Sequence, residues 1–189
     1  MTSSTQPLPE KVLLHSCCAP CSCAIIDQLL SEGIRPAIFF YNPNIDTVEE
    51  YLRRKVAVTS YAHKHSLEVV DVDYDPDVWK ARVKGLEQEP ERGKRCTVCF
   101  DVRLERTALY CMENGYRAFA TTNGIGRWKD LEQVNASGRR AAARYPGLVF
   151  LDRNWRVNNA LGKAAEITRQ EGFYRQKYCG CIYSKKSLD

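Results

Sequence analysis

The sequence predicts an α/β fold: a parallel, five-stranded Rossmann-like sheet flanked by helices, followed by a short cysteine-rich C-terminal tail. Three observations carry that prediction. Short apolar runs recur five times along the chain, punctuated by Gly, Pro, Asn and Asp. Longer stretches with helical periodicity separate them, which is the alternation that right-handed βαβ units require. The 189 residues, 44% of them hydrophobic, suffice for one α/β domain spanning 1–189, with no repeat or linker to divide it.

Lys11–Cys17 (KVLLHSC) reads as the first buried strand, and a helix from Cys21 to Glu32 follows, ended by Gly33. Pro36–Tyr41 is the second strand, broken by Asn42-Pro43-Asn44. Asp46 is suited to cap a long helix, with Glu49 and Glu50 favourable in its first turn. Leu67–Tyr74 alternates as a third strand, with Asp71 and Asp73 on an exposed face. Asp75-Pro76 opens the next helix, and Glu89–Arg95 is a charged break. Thr97–Asn114 is helical and closed by Gly115; Arg117–Thr122 is the fourth strand. Trp128–Arg144 is a helix, Leu148–Asp152 the fifth strand, and Asn158–Gln170 the last helix. Residues 1–10 read as a flexible arm, and residues 173–189 as a tail packing on the site. Ligands of such sheets bind beyond the carboxyl ends of the strands, which places Cys17/Cys18 beside Thr121-Thr122-Asn123 at the switch point.

No apolar run is long enough to span a membrane, and Met1–Pro9 has no signal-peptide core, so a cytoplasmic protein is expected. Nine cysteines, an odd number and tightly grouped, then point to metal or redox chemistry rather than to disulfide staples. The net charge of +5 is compatible with a polyanionic partner without demanding one.

Cys17-Cys18-Ala19-Pro20-Cys21 sits at a strand-to-helix turn, where backbone amides favour thiolate. Cys96-Thr97-Val98-Cys99 puts two sulfurs on one face of a helix start. Together Cys17, Cys18, Cys96 and Cys99 form a four-thiolate set, which suits zinc or an iron–sulfur cluster. Adjacent Cys17-Cys18 is awkward for one zinc ion, whereas a cluster offers separate irons to neighbouring sulfurs. Cys179-Gly180-Cys181 suits a strained, easily reduced pair, against extra ligands or idle thiols. Cys111 and Cys23 read as core residues, and Cys21 is left open as a ligand of a second metal.

Four blocks, His15–Ser22 (HSCCAPCS), Cys96–Arg103 (CTVCFDVR), Thr121-Thr122 with Trp128-Lys129-Asp130, and Tyr174–Ser184 (YRQKYCGCIYS), resemble the cobalamin-independent epoxyqueuosine reductases, the QueH-type family. They run through nearly the whole chain. After Thr122, Asn123–Arg127 lacks the Ser-Pro expected of that family, and Trp128-Lys129 stands where Tyr-Lys is expected. The resemblance implies a nucleotide α-hydrolase or PP-loop-like fold. It implies an iron–sulfur-dependent reductase that converts epoxyqueuosine in tRNA to queuosine, the last step of queuosine biosynthesis. It implies a 4Fe-4S cluster on Cys17, Cys18, Cys96 and Cys99, no cobalamin, and a redox-active disulfide between Cys179 and Cys181. It also admits a further single iron, with Cys21 or Asp101 as its neighbour. The electron donor is unknown on this reading.

An anticodon-loop base can be splayed out and stacked on aromatic rings, for which Trp128, Tyr174, Tyr178 and Tyr183 are candidates. Arg53-Arg54, Arg139-Arg140, Lys185-Lys186, Arg175 and Lys177 are candidate phosphate contacts. His15 reads either as a cluster-tuning group or as a core histidine, and Asp101 either as a proton donor acting through water or, more simply, as an exposed residue or a partner of Arg103 or Arg106. Two rivals stand beside the reductase. One is a zinc-stabilised nucleic-acid-binding module. The other is a tRNA sulfurtransferase, disfavoured because Ser16–Pro20 is not a glycine-rich phosphate cradle.

Overall fold

The computed structural model describes residues 11–185. The arm at 1–10 and the end of the tail, Lys186 included, lie outside the described residues.

Five strands, β1 (Lys11–His15), β2 (Arg35–Phe39), β3 (Val69–Val70), β4 (Ala118–Thr121) and β5 (Val149–Phe150), form one sheet in the order β3-β2-β1-β4-β5. All four pairings are parallel. Helices α1 (Ala19–Ser31), α2 (Val48–Lys64) and α6 (Ala160–Gln170) cover one face. Helices α4 (Lys94–Glu113) and α5 (Leu131–Ala142) cover the other, with α3 (Pro76–Val83) against α4. A final short helix, α7 (Ile182–Lys185), ends the tail.

Beyond the exposed Lys11 and Arg35 that open β1 and β2, the strands are mostly apolar because both faces are buried. Val12 and Leu14 enter the core under α1, while Leu13, between them, packs with Phe39, Phe119 and Phe150 under α4 and α5. His15 follows Leu13 in that alternation, so its ring points toward α4. The strand order reverses between β1 and β4, and the carboxyl ends of these two strands open the crevice expected for a ligand.

Several boundaries differ from the sequence reading for local reasons. β1 stops at His15 because the Cys17 N–H turns to the Thr122 hydroxyl, and α1 begins at Ala19 with extended Cys18 as its N-cap. Thr47, not Asp46, caps α2: its Oγ1 accepts from Glu50 N at 3.2 Å. α5 starts after Asp130, whose carboxylate accepts from Gln133 N, so Trp128 and Lys129 lie in the preceding turn. α6 starts at Ala160 because Asn158 and Asn159 adopt φ of 53° and 57°. β3 is cut to two residues where the chain leaves the sheet edge, and Asp71 and Asp73 are exposed there as expected.

Candidate functional site

The β1–α1 turn gathers three thiols. The Sγ atoms of Cys17, Cys18 and Cys21 lie within 4.8 Å of one another, with 3.8 Å between those of Cys17 and Cys18. Extended Cys18 reverses its side chain relative to Cys17, and one helical turn brings Cys21 back to both. The Thr122 hydroxyl, from the end of β4, accepts from Cys17 N at 3.1 Å and reaches Cys17 Sγ at 3.4 Å. Gln176 of the tail donates to Cys18 Sγ at 2.7 Å. Hydrogen bonds from Cys18 and then Cys21 hold the Cys17 thiol well below the usual range, with Arg103 and Thr122 adding to them. Cys18 and Cys21 are pushed up by the same sharing and by burial.

The second pair opens α4, with Gly93 as its N-cap, so Cys96 lies in the first helical turn and Cys99 in the second. Buried Arg95 donates to the carbonyls of Leu86, Glu87 and Glu89 and so fixes the loop that enters the helix. Arg92 N donates to Cys96 Sγ at 3.3 Å. Burial pushes the Cys99 thiol up to about 12, against the nearby Arg103 cation, and raises Cys96 as well.

Arg103, one turn beyond Cys99, is only 2% exposed. Its guanidinium donates to Asn42 Oδ1 at 2.5 Å, Asn123 Oδ1 at 3.0 Å and His15 Nε2 at 3.3 Å. Burial and then Arg103 lower the His15 pKa to about 3, so the ring is neutral; Nδ1 meets Thr121 Oγ1 at 2.8 Å. Of its two sequence readings, His15 is the hydrogen-bonded core histidine.

In the tail, Cys179 and Cys181 are both thiols. Lys129 Nζ lies 2.6 Å from Cys179 Sγ. Burial raises the Cys179 thiol, but the Lys129 ammonium outweighs it and leaves the group below its usual value. Cys181 is buried against Trp79, Val83 and Cys99, its Sγ 3.6 Å from Ser184 Oγ. Gly180 takes φ of 119°, and a Cβ there would stand 3.1 Å from Arg54 Nη1 and 3.2 Å from Ile45 Cγ1. Arg54, buried and paired with Glu50, donates to the carbonyls of Tyr178 and Cys179. Asp46, free of the capping role, accepts from Tyr178 Oη at 2.7 Å and pairs with Lys185.

Cys179 faces both thiol groups. A cleft of about 430 Å³ is lined by Cys17, Cys21, Arg103, Lys129, Gln176 and Cys179, and a second small cleft by Cys96, Lys129, Cys179 and Cys181. Among the described residues no carboxylate pairs with Arg103 or Lys129. Asn44 Oδ1, Asn123 Nδ2 and Gln176 Oε1, all lining the first cleft, are buried without a hydrogen-bond partner. The buried cations and the open donor Asn123 Nδ2 suit an anionic, thiolate-held group. A wider cleft of about 2240 Å³ leads outward past Trp128, Lys177, Tyr178 and Tyr183.

The remaining candidates divide. Cys23 and Cys111 are core residues as expected. Asp101 pairs with Arg140 at 2.7 Å rather than with Arg103 or Arg106. Arg53 is held by Glu50 and Tyr174, and Arg139 by Glu132 and Asp152. Arg175 lines a separate cleft beside α6. Trp128 is 67% exposed, with the Arg127 guanidinium 4.8 Å from its ring centre. Sequence reasoning passed over Gln176, named Arg103 only as a partner for Asp101 and gave Lys129 no role, because a cation or amide in a polar stretch carries no sign that it will be buried.

The chain matches the family model described as epoxyqueuosine reductase QueH over residues 12–187. Curated relatives bearing that name are similar over most of this chain and over about three-quarters of their own length. The relative from Acinetobacter baylyi is 53% identical over 180 residues, 95% of this chain and 83% of its own length. That from Histophilus somni is 49% identical over 95% of this chain and 74% of the relative, and that from Haemophilus influenzae 48% over 93% and 71%. With the thiol groups, the neutral His15 and the docked tail carried on this sheet, the chain belongs to the epoxyqueuosine reductase QueH family.

Proposed function

We propose that this chain reduces epoxyqueuosine to queuosine in tRNA, in the cytoplasm, by removing the epoxide oxygen as water. The observation that carries the reading is the cleft between Cys17, Cys21 and Cys179, whose buried cations Arg103 and Lys129 have no carboxylate partners among the described residues. Such a cleft calls for bound negative charge, and the thiols around it supply ligands for a metal group that carries it.

Cys17, Cys18, Cys96 and Cys99 would hold a 4Fe-4S cluster, and Cys21, joined to the first pair, is the candidate ligand for a further iron. When bound, these groups supply one-electron transfer and Lewis acidity toward the epoxide oxygen. The chain's own residues do the rest. Arg103 offsets sulfur charge from beneath, Thr122 and Gln176 orient Cys17 and Cys18, and neutral His15 fixes Arg103. Cys179 and Cys181 form a dithiol that yields two electrons on closing to a disulfide. Trp128, Tyr178 and Lys177 line the route by which a splayed base and its phosphates enter.

Anoxic purification with iron and acid-labile sulfide analysis, followed by dithionite-driven reduction of epoxyqueuosine-containing tRNA, tests the reading. Brown protein that bleaches with dithionite and forms queuosine is expected. Colourless, zinc-loaded protein that binds tRNA without converting it would establish the nucleic-acid module instead.

A further inference from the structure

We propose that Glu91 reads the substrate base: its carboxylate accepts the N–H donors on the Watson–Crick edge of a guanine-type base while Trp128 stacks on the ring. The inference rests on the reading of the chain as a reductase of epoxyqueuosine in tRNA, whose base is a 7-deazaguanine, and it names the group that selects that base.

The loop between α3 and α4 brings three glutamates to the mouth of the wide cleft, and two of them are spent on the loop itself. Glu87 Oε1 accepts from Gly85 N, and Glu89 Oε2 from Lys94 N, both at 2.9 Å. Glu91 makes no hydrogen bond or ion pair among the described residues, although Arg92, Arg95 and Lys129 line the small cleft beside it. Those cations are engaged elsewhere. Arg92 Nε donates to the Trp128 carbonyl at 2.9 Å, Arg95 to the carbonyls of Leu86, Glu87 and Glu89, and Lys129 to Cys179 Sγ. Asp130, the other carboxylate of the small cleft, caps α5. A free carboxylate at the mouth repels RNA phosphates, a cost that is offset where it meets paired donors.

The same contacts hold Glu91 and Trp128 as a pair. Arg92 takes φ of 66°, so the chain turns sharply after Glu91, and Gly93 N donates back to the Pro90 carbonyl at 3.1 Å. Gln133 of α5 donates to the Arg92 carbonyl at 2.9 Å, and Arg92 in turn to that of Trp128. The loops that carry the carboxylate and the indole are therefore tied to each other. Both residues line the small cleft with Cys96 and Cys179 as well as the wide cleft. Arg127 covers one face of the exposed indole, which leaves the other to stack. Neither side chain bonds to a sulfur, so the pair stands whatever group the thiols hold.

A guanine-type base carries N1–H and an N2 amino group on one edge. An ionised carboxylate offers only acceptors, two oxygens in one plane, and matches those donors; adenine would set its N1 acceptor against them. A splayed base is read in this way, by its Watson–Crick edge and by stacking. The 7-substituent that bears the epoxide leaves from the opposite side of the base. An edge held at exposed Glu91 therefore leaves the epoxide free to reach inward to the sulfurs.

The test measures, by fluorescence anisotropy, the binding of anoxic enzyme to anticodon stem-loop RNAs that differ only at the wobble base. Guanosine is expected to bind roughly tenfold or more tighter than adenosine, with inosine, which keeps N1–H and lacks the amino group, between them. In Glu91→Gln, whose amide sets a donor against the base, and in Glu91→Ala, the ratio should fall below about threefold through weaker guanosine binding alone. Phosphate contacts are common to all three RNAs, so a merely structural role would weaken all of them alike. Equal native affinities, a native ratio kept in both variants, or uniform weakening in both would overturn the role of Glu91. Failure of the native enzyme to bind any of the RNAs would overturn it as well. Conversion of epoxyqueuosine-containing tRNA by dithionite-reduced enzyme decides the reductase reading separately.

Discussion

Gln176 Nε2 lies 2.7 Å from Cys18 Sγ, so the C-terminal tail touches the thiol group at the end of the first strand, across 158 positions of sequence. The contact depends on how the tail is docked, and Arg54 is the centre of that docking. Arg54→Met removes both donors to the Tyr178 and Cys179 carbonyls and leaves buried Glu50 with only its longer contact to Arg53 at 3.8 Å. Loss of one member of a buried pair costs about 3 kcal/mol. Urea unfolding is expected to show that loss, and limited proteolysis to cleave the tail faster than in the native protein. An unchanged cleavage rate would mean that the tail is held by other contacts.

Arg103→Met takes the buried cation from beneath the sulfurs and strands the Asn42 and Asn123 carbonyl oxygens. The apo protein is expected to lose about 2 kcal/mol of stability from the unpaired acceptors. In the loaded enzyme an anionic cluster becomes harder to reduce. A midpoint potential lower by about 60 mV, for each tenfold loss in the one-electron constant, is expected in an EPR-monitored titration. A potential at or above the native one contradicts the assigned role.

His15 supplies a pH signature of the metal-free fold. Its native pKa of about 3 lies below the unfolded value of 6.5, so between those values the unfolded chain binds the extra proton. Its contribution is therefore fully present above pH 6.5 and is lost as pH falls toward 3. The limb is worth on the order of 5 kcal/mol at most. Denaturation midpoints of metal-free protein across that range should fall with acid, and should fall less steeply in His15→Gln.

Trp128 tests the entry route. It is exposed and its side chain supports little of the fold, so Trp128→Ala should leave the unfolding midpoint within about 0.5 kcal/mol of native. Stacking on a base contributes about 1–3 kcal/mol. A KM for modified tRNA raised roughly tenfold or more, with kcat nearly unchanged, is the expected result. Equal KM values in the two proteins would place the base elsewhere.

Much of the fold was legible in the chain itself. Val12-Leu13-Leu14 and Pro36–Phe39 are apolar on successive residues, and only a strand covered on both faces calls for that. Cys17, Cys18, Cys96, Cys99 and the Cys179/Cys181 tail stand out by spacing, since tightly clustered thiols point to metal or redox chemistry. The switch point between β1 and β4 followed from element order. Local residue types also misled. Asp46 is a good cap by composition, yet Thr47 caps α2 and Asp46 fastens Tyr178 and Lys185.

The sequence by itself determined the layered α/β architecture and the thiols available for chemistry, because periodicity and spacing are properties of neighbouring residues. Only the tertiary structure decided that Cys21 joins Cys17 and Cys18, that Arg103 lies beneath them, and that Lys129 faces Cys179 rather than solvent. Those outcomes rest on desolvation and charge, and the field at a side chain is set by groups brought to it from distant parts of the chain.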